Sequence, residues 1–137
     1  MLRLSKKQDY AVLILTYVST RQGLETTARH ISEHFNLSLP YIALILKQLT
    51  KHRILRSERG AHGGYTLAGA PSETSLGRIL EALDDPVALT ECSMDGENRC
   101  ATRDGCNIIE PIRRINGRIR KVLHETTLAD LLSEVTQ

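Results

Sequence analysis

Cys92, Cys100 and Cys106 are the residues of this sequence best suited to chemistry, and they are its only thiols. Seven residues separate the first pair and five the second, within a stretch from Thr90 to Ile115 rich in Asp, Gly, Asn and Arg. That composition describes a loop, and a patterned helix from Asn107 to His124 follows at once. Clustered thiols on a polar loop make a poor core but a good metal site, because thiolates bind zinc and the iron of iron–sulfur clusters. Structural zinc usually relies on paired Cys-x-x-Cys knuckles, and this spacing has none. Iron–sulfur clusters normally take four ligands, so a fourth donor must come from elsewhere. Glu91, Asp95, Glu97, Asp104 and Glu110 are oxygen donors close by, and the sequence does not choose among them. A cluster with one non-thiolate ligand is more labile at that iron, which suits a sensor better than a permanent brace. An odd number of cysteines excludes a closed disulfide framework. An iron–sulfur cluster, a zinc ion, and disulfide-forming or incidental thiols therefore stand as the three readings of the loop.

The rest of the chain must position that loop and give it something to control. At 137 residues it suits one domain, or a small domain with an appendage. Hydrophobic residues make up 41%, but aromatics only 4% and Trp is absent, so an aliphatic core would be thin without a partner subunit. No apolar run approaches the roughly 20 residues that span a bilayer. The apolar run near the start is interrupted by Asp9 and lacks a small-residue cleavage site, so a cytoplasmic helix is expected there. The net charge of +2 conceals an asymmetry: residues 1–70 carry ten Lys/Arg against four Asp/Glu, and residues 71–137 eight against twelve. A basic half joined to an acidic half suggests a polyanion-binding unit attached to a region with other work.

Ser5-Lys6-Lys7-Gln8 is a capping box that opens a helix running to about Thr20. Its middle, Tyr10 to Leu15, is apolar nearly all round, which predicts burial on more than one face. Thr27 caps a short helix, Asn36-Leu37-Ser38 forms a tight turn, and Ser38 caps a third helix that tolerates Pro40 in its first turn. Ile42, Ile45, Leu46 and Leu49 recur at helical spacing and face inward, leaving Tyr41, Leu44, Lys47, Gln48 and Lys51 outward. Two helices joined by such a turn are a helix-turn-helix, whose second helix enters the major groove of DNA. Ile54–Arg59 and Tyr65–Ala68 then flank the glycine-rich tip Gly60-Ala61-His62-Gly63-Gly64, a hairpin in the place of a wing. Arg56, Arg59 and His62 would lie along phosphates or reach into the minor groove. The tip is no nucleotide-binding loop, since neither Gly-Lys-Ser/Thr nor a helix follows it. Beyond it, Ser75 caps a helix with Leu76, Ile79, Leu80 and Leu83. The long helix carries Ile108, Ile112, Ile115, Ile119 and Val122 at heptad spacing, and Thr127 caps a tail helix. A seam this regular predicts a homodimer; the competing reading packs it on the chain's own first helix.

These stretches together resemble the IscR/NsrR family of winged-helix iron–sulfur transcription regulators. The resemblance covers nearly the whole chain. It is carried by Leu4-Ser5-Lys6, Asp9-Tyr10-Ala11, the run from Arg59 to Leu67, Leu89-Thr90-Glu91-Cys92, the cysteine triad and the long helix. Within the family the likeness is greatest to the Suf-operon cluster-assembly regulator, through Val87–Ser93 and Arg114-Ile115-Asn116. It implies a homodimer on a palindromic double-stranded operator, with a [2Fe-2S] or [4Fe-4S] cluster whose presence or loss changes DNA affinity. Two departures matter. IscR-type members have a His ligand three residues after the last cysteine, where this chain has Ile109. NsrR-type members use an N-terminal Asp from the partner subunit, which Asp9 matches. The Glu–Gln pair by which IscR-type members read bases is replaced by Ala43 and Leu44, although Tyr41 and Arg59 match, so the operator sequence does not carry over.

The expectation is thus a mainly α fold, with a winged helix-turn-helix over 1–70, a connecting helix and cluster loop over 71–106, and a dimerisation helix with a tail helix over 107–137. Cys92, Cys100, Cys106 and Asp9 would bind the metal. Ser38, Pro40, Tyr41, Leu44, Lys47, Gln48 and Lys51, with Arg56, Arg59, His62, Gly63 and Gly64 of the wing, would meet DNA. The function expected is that of a cluster-sensing repressor of iron–sulfur assembly genes, not an enzyme, with no membrane and no small-molecule substrate. The alternatives are a nitric-oxide or thiol-redox regulator and a zinc-containing regulator of the same fold.

Overall fold

A computed structural model describes residues 3–21, 24, 26–61, 63–85, 87–90 and 100–135. The first helix, α1 (Lys6–Thr20), opens on the expected capping box. Ser5 Oγ accepts from the Gln8 amide at 3.2 Å, and Gln8 Oε1 accepts from the Ser5 amide at 3.0 Å. Ala11, Ile14, Leu15 and Val18 of α1 are buried in the core. Leu13 is exposed, so the helix buries one broad face and not its whole circumference. The apolar centre of α1 is therefore wider than the surface its own chain covers.

Helices α2 (Ala28–Phe35) and α3 (Leu39–Lys51) form the expected helix-turn-helix. Thr27 caps α2 by accepting from the His30 amide at 3.1 Å. Asn36 ends it in the left-handed region (φ 52°, ψ 49°), a conformation Asn tolerates better than most residues. Ser38 occupies the capping position of α3 but makes no side-chain cap bond. Pro40, the second helical residue, offers no N–H, and the Ser38 hydroxyl does not engage the amide of the third, Tyr41. Ile42, Ile45, Leu46 and Leu49 are completely buried, as their spacing predicts.

Strands β1 (Leu55–Glu58) and β2 (Gly64–Leu67) pair antiparallel, with Leu55 opposite Leu67 and Glu58 opposite Gly64. Thr26 adds a bridge to Tyr65, whose amide donates to the Thr26 carbonyl at 2.9 Å. A Cβ on Gly64 would stand 2.9 Å from the Thr26 amide nitrogen, so this close approach requires glycine. The wing is thereby tied to the segment ahead of α2. Arg78 ties the other end, donating to the carbonyls of His52 at 3.2 Å and Arg53 at 3.3 Å, where the chain leaves α3.

A short 3-10 turn (Pro71–Glu73) leads to α4 (Leu76–Glu81), which Ser75 caps. The long helix, α5 (Ile109–Glu125), begins two residues later than its pattern suggests, because Cys106 is extended (φ −86°, ψ 116°) and the helical ladder starts at the Ile108 carbonyl. Its main neighbour is α4, not α1. A Cβ on Gly77 would lie 2.7 Å from the His124 ring, so α4 and α5 touch closely there. Glu81 meets Arg120 at 3.3 Å and His124 at 3.0 Å. The tail helix α6 (Leu128–Val135) turns back to bury Leu128 in the same core as α1–α4. Thr127, through its amide and then its hydroxyl, donates to Asp130 and holds that carboxyl below its ordinary value of 3.8. Its contribution to α6 is complete above that value and is lost as pH falls through the lowered one.

Ile108, Ile115 and Val122 of the seam are 56%, 46% and 61% exposed, a stripe that this chain leaves uncovered. Among the described residues no helix is long and apolar enough to cross a membrane.

The buried Gln8 side chain also donates from Nε2 to the carbonyl oxygens of Leu80 at 3.3 Å and Asp85 at 2.7 Å. Replacing it with Ala (Gln8→Ala) should cost about 2–3 kcal/mol in urea unfolding, since it leaves buried acceptors unpaired. Asn36→Gly should change stability by only a few tenths of a kcal/mol, since Gly also tolerates the left-handed turn.

Candidate nucleic-acid interface and metal centre

The outward side of α3 follows from what its inward side buries. With Ile42, Ile45, Leu46 and Leu49 in the core, the exposed positions are Leu39, Pro40, Ala43, Leu44, Lys47 and Lys51. Ser38 is exposed just ahead of them. Tyr41 is half-buried, its ring edge-on to Tyr10 with centroids 5.8 Å apart, so it marks the border between core and surface. Gln48 is more constrained than its sequence position suggests. Its Nε2 donates to Asp84 Oδ2 at 2.9 Å, and its Oε1 is buried without a partner among the described residues.

In the wing, Arg56 and Arg59 are exposed. Gly63 makes the turn, its amide donating to the Gly60 carbonyl at 2.9 Å while Gly60 takes φ 116°. A Cβ on Gly63 would meet the Glu58 carbonyl at 2.7 Å, and Gly64 is pressed against Thr26. These two glycines therefore shape the wing. His62 lies outside the described residues. Among the described residues, Lys47, Lys51, Arg56 and Arg59 enter no ion pair, which leaves four cations for an external polyanion.

The cysteine loop is described in part. Cys92 lies outside the described residues, as do Glu91, Asp95 and Glu97. Cys100 and Cys106 are both half-buried and are not joined to each other by a disulfide. A 3-10 turn (Arg103–Gly105) links them through the amides of Arg103, Gly105 and Cys106, which donate to the carbonyls of Cys100, Thr102 and Arg103 at 3.2–3.3 Å. Cys100 Sγ lies 3.4 Å from Thr102 Oγ1. Ahead of the loop, the Leu89 amide donates to Oδ1 of the buried Asn116 at 3.3 Å. The loop therefore leaves one point on α5 and returns to the N-terminus of the same helix.

Asp9 is exposed in the first turn of α1, with no hydrogen bond or ion pair from its carboxylate among the described residues. Among those residues no three His, Cys, Asp or Glu converge within one chain. Two thiols held on one turn, and a carboxylate without an internal partner on another helix, have the donor chemistry of a shared site. Thiolate donors of this kind fit an iron–sulfur group. Asp104 and Glu110 are exposed as well.

Sequence reasoning missed three residues of the framework. Asp84 holds Gln48 from the end of α4, and Asp85 accepts from Ser5 Oγ at 2.7 Å. The Asp84-Asp85-Pro86 run is legible only as a helix terminus. Asn116 is the third; the sequence shows it as a polar residue in a patterned helix, within the family-like run Arg114-Ile115-Asn116, but not its contact with Leu89.

A family model described as an iron-dependent transcriptional regulator, Rrf2, matches residues 4–134. The chain is 30% identical to the HTH-type transcriptional regulator NsrR of Oceanobacillus iheyensis over 132 residues, 96% of this chain and 90% of that protein. It is 32% identical to the regulator IscR of Sodalis glossinidius over 133 residues, 96% of this chain and 79% of that one. The structure of CymR, the global cysteine regulator of B. subtilis, superposes with a TM-score of 0.76 at 28% identity, covering 98% of both chains.

On duplex DNA, Lys47→Ala, Lys51→Ala and Arg59→Ala should each weaken binding by a similar factor whatever the sequence. Each should also lower the slope of log affinity against log salt by about 1, measured by fluorescence anisotropy between 50 and 200 mM salt.

Proposed function

The chain belongs to the Rrf2 family of iron-dependent transcriptional regulators, and from that premise we propose that this DNA-binding regulator, which is not an enzyme, has its DNA affinity set by an iron–sulfur cluster. The observation that carries the reading is the pair of half-buried thiols, Cys100 and Cys106, held on one turn directly ahead of α5. Cys92, Cys100 and Cys106 would hold the cluster, with Asp9 of the partner subunit as fourth ligand in place of the absent His at Ile109. The cluster would supply a ligand set that oxidant, nitric oxide or iron shortage can open. The uncovered seam of Ile108, Ile115 and Val122 supports a homodimer through α5. In this arrangement residues 1–70 hold the DNA, 71–106 carry the loop and 107–137 join the subunits. The reading extends to repression of iron–sulfur assembly genes in the cytoplasm.

The chain's own contacts offer a route from loop to DNA. Asp84 and Asp85 precede the loop; the first holds Gln48 of α3, and the second is held by Ser5 and Gln8 at the start of α1. Asp9 is the next residue of that helix. A change in how the loop and Asp9 are held therefore acts on the base of the recognition helix. Across a dimer, this alters the fit of two such helices to half-sites one DNA turn, about 34 Å, apart.

A second reading, a regulator that answers thiol oxidation directly, is favoured by the fold shared with a cysteine regulator and by the same two thiols.

Anaerobically purified protein should be coloured and contain iron and acid-labile sulfide, with Cys106→Ala losing both and Asp9→Ala retaining less iron after exposure to air. Holo and apo protein should differ in gel-shift affinity for the same promoter fragment; equal affinities would sink cluster control, because a ligand without differential affinity shifts nothing. Colourless protein with stoichiometric zinc would remove the cluster and leave the regulator. A response to oxidant in iron-free protein that disappears in Cys100→Ala would select the thiol reading.

A further inference from the structure

The recognition helix presents an apolar surface where base-reading polar side chains are usual. Pro40, Ala43, Leu44 and Lys47 fall at i, i+3, i+4 and i+7 on its exposed side, and Leu44 is 48% exposed although the opposite side of the helix is fully buried. Gln48 is the single amide side chain on α3. Asp84 engages its nitrogen at 2.9 Å and its oxygen is buried, so it is committed within the chain. Resting on the DNA-binding reading, and deepening it, we infer that α3 reads its operator through thymine methyl groups, with Leu44 and Ala43 as the specificity-determining residues.

The physical reason is the pattern that bases display in the major groove. Adenine and guanine show hydrogen-bonding atoms there and cytosine an amino group, whereas thymine alone adds a methyl group. The N-terminal half of a recognition helix is the part that meets base edges, and here that half carries Leu39, Pro40, Ala43 and Leu44. A leucine against the polar edge of a purine would strip water from donors and acceptors without replacing it. Against a thymine methyl it buries apolar surface on both sides. The cations around the patch, Lys47 and Lys51 on α3 and Arg56 and Arg59 in the wing, match a phosphate backbone and so identify the occupant as a nucleic-acid groove. The Ser38 hydroxyl, unused as a cap, is exposed at the edge of the patch and is suited to a phosphate oxygen.

The test uses the full chain, purified anaerobically, and a random pool of double-stranded DNA. Enrichment should yield half-sites with thymine at one or two fixed positions. Each such dT is then replaced by deoxyuridine, which removes the methyl group and keeps every hydrogen-bonding atom. The unaltered protein should lose about fourfold in affinity for each contacted methyl. Leu44→Ala should lose a comparable factor on the dT duplex and become indifferent to deoxyuridine at the same position. Enriched sites that tolerate deoxyuridine everywhere overturn the inference and leave DNA binding intact. So does an equal deoxyuridine loss in Leu44→Ala and the unaltered protein. A chain that retains no duplex from the pool overturns the DNA-binding reading, and the inference with it.

Discussion

The side-chain amide of Gln8 is the contact on which the arrangement of this protein depends. Its oxygen closes the cap of α1, and its nitrogen donates to the carbonyls of Leu80 and Asp85 at the far end of α4. A buried amide is costly unless its donors and acceptor are matched. The residue therefore fixes the start of α1 against the end of α4. Asp85 strengthens the same junction by accepting from Ser5. Elements about 80 residues apart in sequence are thus held by three hydrogen bonds around one side chain, and the helix carrying Asp9 cannot move independently of the segment leading to the cysteines.

The recognition helix belongs to this junction through Asp84, whose left-handed backbone (φ 60°) ends α4 beside Gln48. Arg78, from the same short helix, reaches the carbonyls that close α3. Helix α4 is only six residues long, yet it grips α3 through Arg78 at its middle and Asp84 just past its end, and it packs against α5 through Gly77 and Glu81. Its ion pairs are exposed and each contributes little on its own. The close backbone approach at Gly77 and the burial of Ile79, Leu80 and Leu83 supply the rigidity. Helices α3, α4 and α5 are thus joined into one compact block.

Electrostatics and burial divide the surface in the same way. Among the described residues, Lys47, Lys51, Arg56 and Arg59 stay clear of ion pairs, whereas Arg113, Arg120 and Lys121 on α5 meet Glu110, Glu81 and Glu125. The basic half keeps its charge available for an external polyanion. The second half satisfies much of its charge internally and leaves an apolar stripe on α5 instead.

Much of this was legible in the sequence, for reasons that are local. Helix starts at Ser5, Thr27, Ser75 and Thr127 follow from side chains that hydrogen-bond amides two or three residues on, and the inward face of α3 follows from the 3.6-residue period. The wing follows from two short runs around glycines, and the cysteine triad from composition alone. Ser38 looked like another cap, but its hydroxyl makes no cap bond. The sequence could place Gln48 on the outward side of α3; it could not reveal that Asp84, 36 residues away, takes up its amide. Nor could it show that α6 folds back to bury Leu128, that Asn116 holds the start of the loop, or that Leu13 stays exposed. By itself the sequence determined the elements, their order and the residue types able to hold metal or meet DNA, because these rest on contacts within a few residues. Only the tertiary structure decided which of those side chains remain available, because a long-range hydrogen bond can occupy a group that local pattern leaves free.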